Sequence, residues 1–97
     1  TAYWEKTGAN DDLSPAGNTF NGTTTLSNAG TGIFRMSNNF GTPDTYNSNV
    51  IWKRTGTGSL EISHNNAENY FGNISFDVTQ SITAAQGTNG RVVLTGT

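Results

Sequence analysis

The sequence contains no cysteine, so disulfide stapling and any zinc site built on thiolates are excluded by count. Charge is scarce as well. Charged residues make up 12% of the chain, where a globular domain carries about a quarter. The 5 Lys and Arg residues are scattered singly, which leaves no footprint for a nucleic-acid backbone. Apolar residues stop at 32%, and no apolar run approaches the roughly 18 residues that insertion into a membrane as a helix requires. Good helix formers are few, which argues against a coiled coil or a bundle. A disordered polyampholyte is excluded in turn, because aromatics reach 10% and the net charge is only −2.

What fills the chain is small and polar. It holds 16 Thr, 13 Asn, 12 Gly and 8 Ser among 97 residues. These residues oppose helix and favour strands and turns, so the fold class is all-β. Residue 1 is Thr, with no initiator Met, signal peptide or lipidation motif at the start, so a processed product or an excised piece is expected. A chain rich in Thr, Asn and Gly and free of cysteine fits a bacterial protein that is secreted, extracellular or held at the cell surface. The sequons Asn21-Gly22-Thr23 and Asn73-Ile74-Ser75 would matter only in a eukaryotic secretory pathway.

Self-similarity organises the sequence. Asn18-Thr19-Phe20-Asn21 returns as Asp44-Thr45-Tyr46-Asn47, 26 residues later. The same offset pairs Leu26 with Trp52, Gly30 with Gly56, Gly32 with Gly58, Phe34 with Leu60, Met36 with Ile62, Ser37 with Ser63 and Asn39 with Asn65. A third copy opens at Asn69-Tyr70-Phe71-Gly72-Asn73, read with a shift of 25. Upstream, Tyr3-Trp4-Glu5-Lys6-Thr7-Gly8 matches Ile51-Trp52-Lys53-Arg54-Thr55-Gly56 and reads as the second half of a shortened copy. The boundaries are a partial coil 1–15, repeats 16–41 and 42–67, and a divergent repeat 68–97 within one segment, 1–97.

Within a copy, Thr24–Leu26 and Val50–Trp52 are short extended stretches, and Gly-x-Gly at 30/32 and 56/58 breaks the chain. Ile33–Met36 and Ser59–Ile62 then alternate, with Phe34/Met36 and Leu60/Ile62 on one face. Asn38-Asn39 and Asn65-Asn66 close the unit as turns. Each copy holds too few large apolar residues to bury a face alone, so copies must stack. The fold predicted is a parallel β-helix, a β-solenoid of about four coils, with equivalent positions about 4.8 Å apart along the axis. The alternative is an antiparallel β-sandwich, for which Asn21-Gly22 and Asn89-Gly90 would be hairpin turns. Phe20, Tyr46 and Phe71 are predicted to form one interior column and Trp4, Leu26, Trp52 and Phe76 another. Asn18, Asp44 and Asn69 would form a corner ladder, Asn39 and Asn65 a second, and Arg35 would face Glu61 on a surface column. Residues 81–97 fit the repeat poorly, and Gln86–Gly90 reads as an inserted loop.

The run Gly17-Asn18-Thr19-Phe20-Asn21-Gly22-Thr23-Thr24-Thr25-Leu26-Ser27-Asn28, followed by Gly-x-Gly and a short strand, resembles repeats of very long exported cell-surface proteins of Bacteroidetes. Those chains are similar to adhesins, and some act in gliding. The likeness covers residues 16–78 and implies a β-solenoid, export by the type IX secretion route and a role in adhesion or gliding motility; it transfers no site residue.

Glycoside hydrolysis needs two carboxylates across a scissile bond, and the candidates are Glu5, Asp11, Asp12, Asp44, Glu61, Glu68 and Asp77. Asp44 reads as a ladder residue and Glu61 as the partner of Arg35. Asp11-Asp12, with Asp44 or Glu68, could offer oxygens to calcium but lacks a recognised loop spacing and reads as a solvated turn. His64 aligns with Asn38 at a turn, and no serine lies in a nucleophile elbow. No catalytic, metal or cofactor role is therefore assigned to any residue. Trp4, Trp52, Tyr3, Tyr46 and Tyr70 could stack on sugars if exposed; Tyr46 and Trp52 align with core positions, and Tyr3 and Tyr70 remain open. Ice binding through Thr-x-Thr at 23/25, 55/57 and 95/97 fails on register, because 23/25 aligns with Asn49/Ile51. Unpaired edges and no recognisable cap point to neighbouring repeats, or copies stacked end to end, as partners. The function expected is a structural or adhesive module of an elongated extracellular filament; the alternative is a carbohydrate-binding β module contacting surface glycans.

Overall fold

The computed structural model describes residues 1–79 and 81–85 and the backbone of residues 91–94. Twelve strands follow one another: β1 (Ala2–Lys6), β2 (Asp12–Leu13), β3 (Thr19–Phe20), β4 (Thr24–Asn28), β5 (Phe34–Arg35), β6 (Thr45–Tyr46), β7 (Val50–Arg54), β8 (Leu60–Ser63), β9 (Ala67–Tyr70), β10 (Ile74–Val78), β11 (Thr83–Ala85) and β12 (Arg91–Leu94). The chain deals them in turn to three sheets. β1, β4, β7 and β10 form the first, β2, β5, β8 and β11 the second, and β3, β6, β9 and β12 the third. Every pairing is parallel. The protein is thus a parallel β-solenoid, and the antiparallel sandwich is excluded. Its four strand layers enclose about three turns rather than the four coils expected.

The 26-residue match is the physical register between the second and third layers, where Thr24 lies on Val50, Leu26 on Trp52 and Phe34 on Leu60. The next step is shorter. Tyr46 lies on Tyr70 and Val50 on Ile74, 24 residues on. The two residues are lost between the second and third sheets, where the connection from Arg35 to Thr45 is opposed by the shorter one from Glu61 to Asn69. The shift of 25 read from the sequence is therefore wrong by one, and one residue turns every side chain to the opposite face. Tyr70, not Phe71, completes the interior column: Tyr70 is 1% exposed and Phe71 53%. The rings of Phe20, Tyr46 and Tyr70 stack with centroids 4.9 and 4.8 Å apart and planes within 8°. Likewise Glu68, not Asn69, lies in the column of Asp44.

The second column stands as expected, with Trp4 on Leu26, Leu26 on Trp52 and Trp52 on Phe76. Leu26 and Trp52 are fully buried, while Trp4 and Phe76 are exposed because they belong to the outermost layers. Residues 81–97, expected to depart from the repeat, instead supply β11 and β12, with Thr83 on Glu61 and Arg91 on Ala67. Gln86–Gly90 and the Thr95/Thr97 pair lie outside the described residues.

The turn from the first sheet to the second is the most crowded part of the coil. A Cβ on Gly56 would fall on the Gly30 carbonyl oxygen, and one on Gly58 on the Gly32 carbonyl oxygen. Gly-x-Gly is thus required by close backbone approach between layers, and neither pair has a positive φ. One column of unlike donors braces this turn: Lys6, Asn28 and Arg54 are register partners. The Asn28 amide donates to the carbonyls of Gly32 at 3.0 Å and Ser59 at 2.8 Å and accepts from the Gly30 N–H. Lys6 donates to the Gly8 carbonyl, and Arg54 to those of Thr57, Gly58 and Ser81. Turn carbonyls are thus satisfied in each layer by a different side chain.

The asparagine corner differs in detail from the ladder expected. Asn65 donates to the Asn38 carbonyl, and Asn66 to the Asn39 carbonyl at 2.6 Å and the Ser37 hydroxyl at 2.7 Å, so side chains grip the backbone of the layer beside them. A side-chain ladder does occur between Asn47 and Asn21, at 2.8 Å. Arg35 and Glu61 form the expected ion pair, but Glu61 is buried, so this is no loose surface contact.

The glycine account makes a contrast. Gly58→Ala should destabilise the protein by about 1–3 kcal/mol, as overpacking does. Gly8→Ala, whose Cβ meets nothing closer than the Asn10 N–H at 4.0 Å, should cost less than about 1 kcal/mol. Urea denaturation of both variants checks the pair, and equal losses would contradict the layer contact.

Candidate functional site

Two features concentrate chemistry: an acidic seam inside the solenoid and a cavity at its β1–β2 end. The seam starts at the corner before the third sheet. The Asn18 backbone N–H and side-chain amide both donate to Asp44 Oδ1, at 2.7 and 2.9 Å. This is the ladder contact foreseen for Asn18 and Asp44. The next layer, however, presents Glu68, and both carboxyl groups are fully buried. Taken as a carboxylate, Glu68 has only the Asp44 backbone N–H near it as a donor, and neither oxygen makes a well-formed hydrogen bond. Protonated, it has the Asp44 carboxylate as its acceptor. Burial, then the neighbouring charge of Asp44, pushes Glu68 up to about 10. Burial raises Asp44 too, against the two Asn18 donors that lower it. The hydroxyls of Tyr46 and Tyr70 are raised by burial and by the charge of Glu68. At neutral pH Glu68 therefore keeps its proton beside Asp44.

This placement removes Asp44 and Glu68 from solvent and separates them from Asp11 and Asp12. Asp11 accepts the Ile33 N–H at 2.9 Å, and Asp12 lies in β2. Among the described residues no group of three or more metal-ligating side chains assembles. Glu61 is taken up by Arg35, and Asp77 lies in register with Lys53 on the first sheet. His64 follows β8 at its turn, half-buried. Glu5 and Asp12 both border an open site, but Glu5 accepts from Tyr3 on the outer face of the first sheet, and Asp12 alone takes an inward position.

Glu5 and Asp12 line a cavity of about 440 Å³ with Trp4, Leu13, Ser14 and Phe34. β1 places Trp4 over Leu26, where its ring meets Phe20 edge-on with centroids 5.0 Å apart. β2 places Asp12 on Phe34. A signal for this was present: the shortened first copy is offset by 22, and that offset sets Asp12 against Phe34 and Ser14 against Met36. Of the aromatics considered for sugar stacking, Tyr46, Trp52 and, against expectation, Tyr70 are buried, because Tyr70 sits in the inner column. Tyr3 and Trp4 are exposed, with the Tyr3 hydroxyl donating to Glu5. Phe40 and Phe71 are exposed aromatics that the repeat pattern did not place on the surface.

The seam fixes the sign of a pH dependence. Glu68 binds its proton more tightly folded than unfolded, so its contribution to stability is complete below about pH 4.5 and is lost as pH rises towards about 10. The loss is at most about 1.4 kcal/mol per pH unit. Glu68→Gln should flatten this slope, so that the variant gains on the unmodified protein as pH is raised from 5 to 8 in urea titrations; parallel curves would contradict a protonated Glu68. No protein-family model, curated protein or solved structure matches the chain, so what it does is read from its own residues.

Proposed function

We propose that the chain is a structural and adhesive repeat module of an elongated extracellular or cell-surface filament, without catalysis of its own. The observation that carries this is the column of Phe20, Tyr46 and Tyr70, stacked face to face and buried, with Leu26 and Trp52 buried beside it. Aromatics spent on holding layers together are not a row displayed for ligands. Support also comes from the β10 edge, which lacks a neighbour on one side of the first sheet among the described residues. Two of the acids considered for catalysis, Asp44 and Glu68, are out of reach of any substrate, and Glu61 is tied to Arg35.

Neighbouring repeats are better supported than identical copies as the material that lengthens the rod. One column of the first sheet runs Glu5, Ser27, Lys53, Asp77. A second copy added in register would set its Glu5 beside Asp77, and like charges directly opposite are unfavourable. The resemblance of residues 16–78 to exported Bacteroidetes surface repeats agrees with such a parent, exported by the type IX route and acting in adhesion or gliding. The second reading, a carbohydrate-binding module, is favoured by one observation, the cavity beside Trp4.

Electron microscopy and light scattering of the native material test the reading. Long thin rods with an axial repeat near 4.8 Å are expected. Compact particles of 10.3 kDa would overturn it.

A further inference from the structure

We infer that the β1–β2 end of the solenoid is a binding site for a neutral saccharide, with Trp4 stacking on the sugar ring and Asp12 and Ser14 taking its hydroxyls. The inference does not rest on the filament reading, since a compact monomer would carry the same site.

The first point is that this end is built to stay wet. In the second sheet the inner positions of the two central layers are Phe34 with Met36 and Leu60 with Ile62, all buried. The first layer places Asp12 on Phe34, and Ser14, the next inward position, hydrogen-bonds through its N–H to the Arg35 carbonyl at 2.8 Å. A charged and a hydroxyl side chain thus stand where every later layer is apolar. Another coil stacked in register on β2 would bury an unpaired carboxylate, which is strongly unfavourable. Inward-pointing charge at Asp12 and Pro15 between β2 and β3 are recognised means of refusing strand addition. The face is kept for solute rather than for chain.

The second point is the chemistry of the cavity. At about 440 Å³ it falls in the range of small-ligand pockets, about 300–1,000 Å³. It pairs apolar surface from Trp4, Leu13 and Phe34 with the Asp12 carboxylate and the Ser14 hydroxyl, while Glu5, next to Trp4 in β1, turns its carboxylate to the outer face and accepts from Tyr3. Carboxylates only accept hydrogen bonds, so the ligand must bring donors, and anions are repelled. Lys6 lines the same cavity, but its ammonium is buried and held by the Gly8 carbonyl. Its charge offsets that of Asp12, which weakens the case for a cationic amine and favours a neutral ligand. A pyranose meets these terms with an apolar C–H face for the indole and a rim of hydroxyl donors for Asp12.

The two tryptophans supply the test. Trp4 and Trp52 give separate indole N–H signals in ¹H–¹⁵N spectra, and Trp52 is fully buried. The protein is titrated with lactose, cellobiose, maltose and diacetylchitobiose, and separately with choline. At least one saccharide should move the Trp4 signal saturably and leave Trp52 in place. Asp12→Ala and Ser14→Ala should each weaken that saccharide about tenfold, as expected where a site is built to pair hydroxyls, with the Trp52 signal unmoved to show that the layers remain stacked. The proposal is overturned if no saccharide moves Trp4, if choline alone does, or if both variants bind unchanged. It is equally overturned if the Trp4 signal moves with protein concentration alone, since a second copy then covers the face.

Discussion

The structure depends on one geometric constraint: each strand residue has its counterpart directly above it at the spacing of neighbouring strands, about 4.8 Å. At that distance like must tolerate like. Flat rings do so by stacking, and Phe20, Tyr46 and Tyr70 hold centroid distances of 4.9 and 4.8 Å. Glycines do so by having no side chain to collide, as Gly56 on Gly30 and Gly58 on Gly32 show. Amides do so by donating to the layer beside them, as Asn47 does to Asn21. Charges cannot, and each is resolved separately. Arg35 is set against Glu61, whereas Glu68 keeps its proton beside Asp44.

The same constraint explains the composition. Thr, Asn, Gly and Ser dominate because a coil this narrow has three tight corners and little interior. Large apolar residues are confined to a few columns, and those columns are complete only where a layer lies on both sides. Trp4 and Phe76 occupy the column of Leu26 and Trp52 yet are exposed, which makes the two ends chemically unlike the middle. The acidic seam is the least economical element, because it places two carboxyl groups where the first layer manages with Asn18 and no charge.

Much of the fold was legible in the residues. Matches such as Phe34 with Leu60 at one offset, with strand-turn-strand order inside each copy, led to the parallel coil and to the register of its central layers. The Trp4–Leu26–Trp52–Phe76 column and the Arg35–Glu61 pair were legible for the same reason. What escaped was the length of each step. Coil length varies where a loop can shorten without disturbing the columns, and an aromatic pair, Tyr70-Phe71, offered two ways to continue the stack. Acid-x-Tyr at 44–46 and again at 68–70 marks the true offset, because both residues of that pair face inward. The cavity was hidden by a shorter step still, since Asp12 looks like a solvated turn until it is set against Phe34.

The central claim is this register, and the most direct measurement is the pattern of nuclear Overhauser contacts among assigned aromatic ring protons in solution. The account predicts contacts from Tyr46 to both Phe20 and Tyr70 and none from Tyr46 to Phe71. Contacts between Tyr46 and Phe71, with Tyr70 free in solvent, would contradict it, and with it the placement of Glu68 against Asp44.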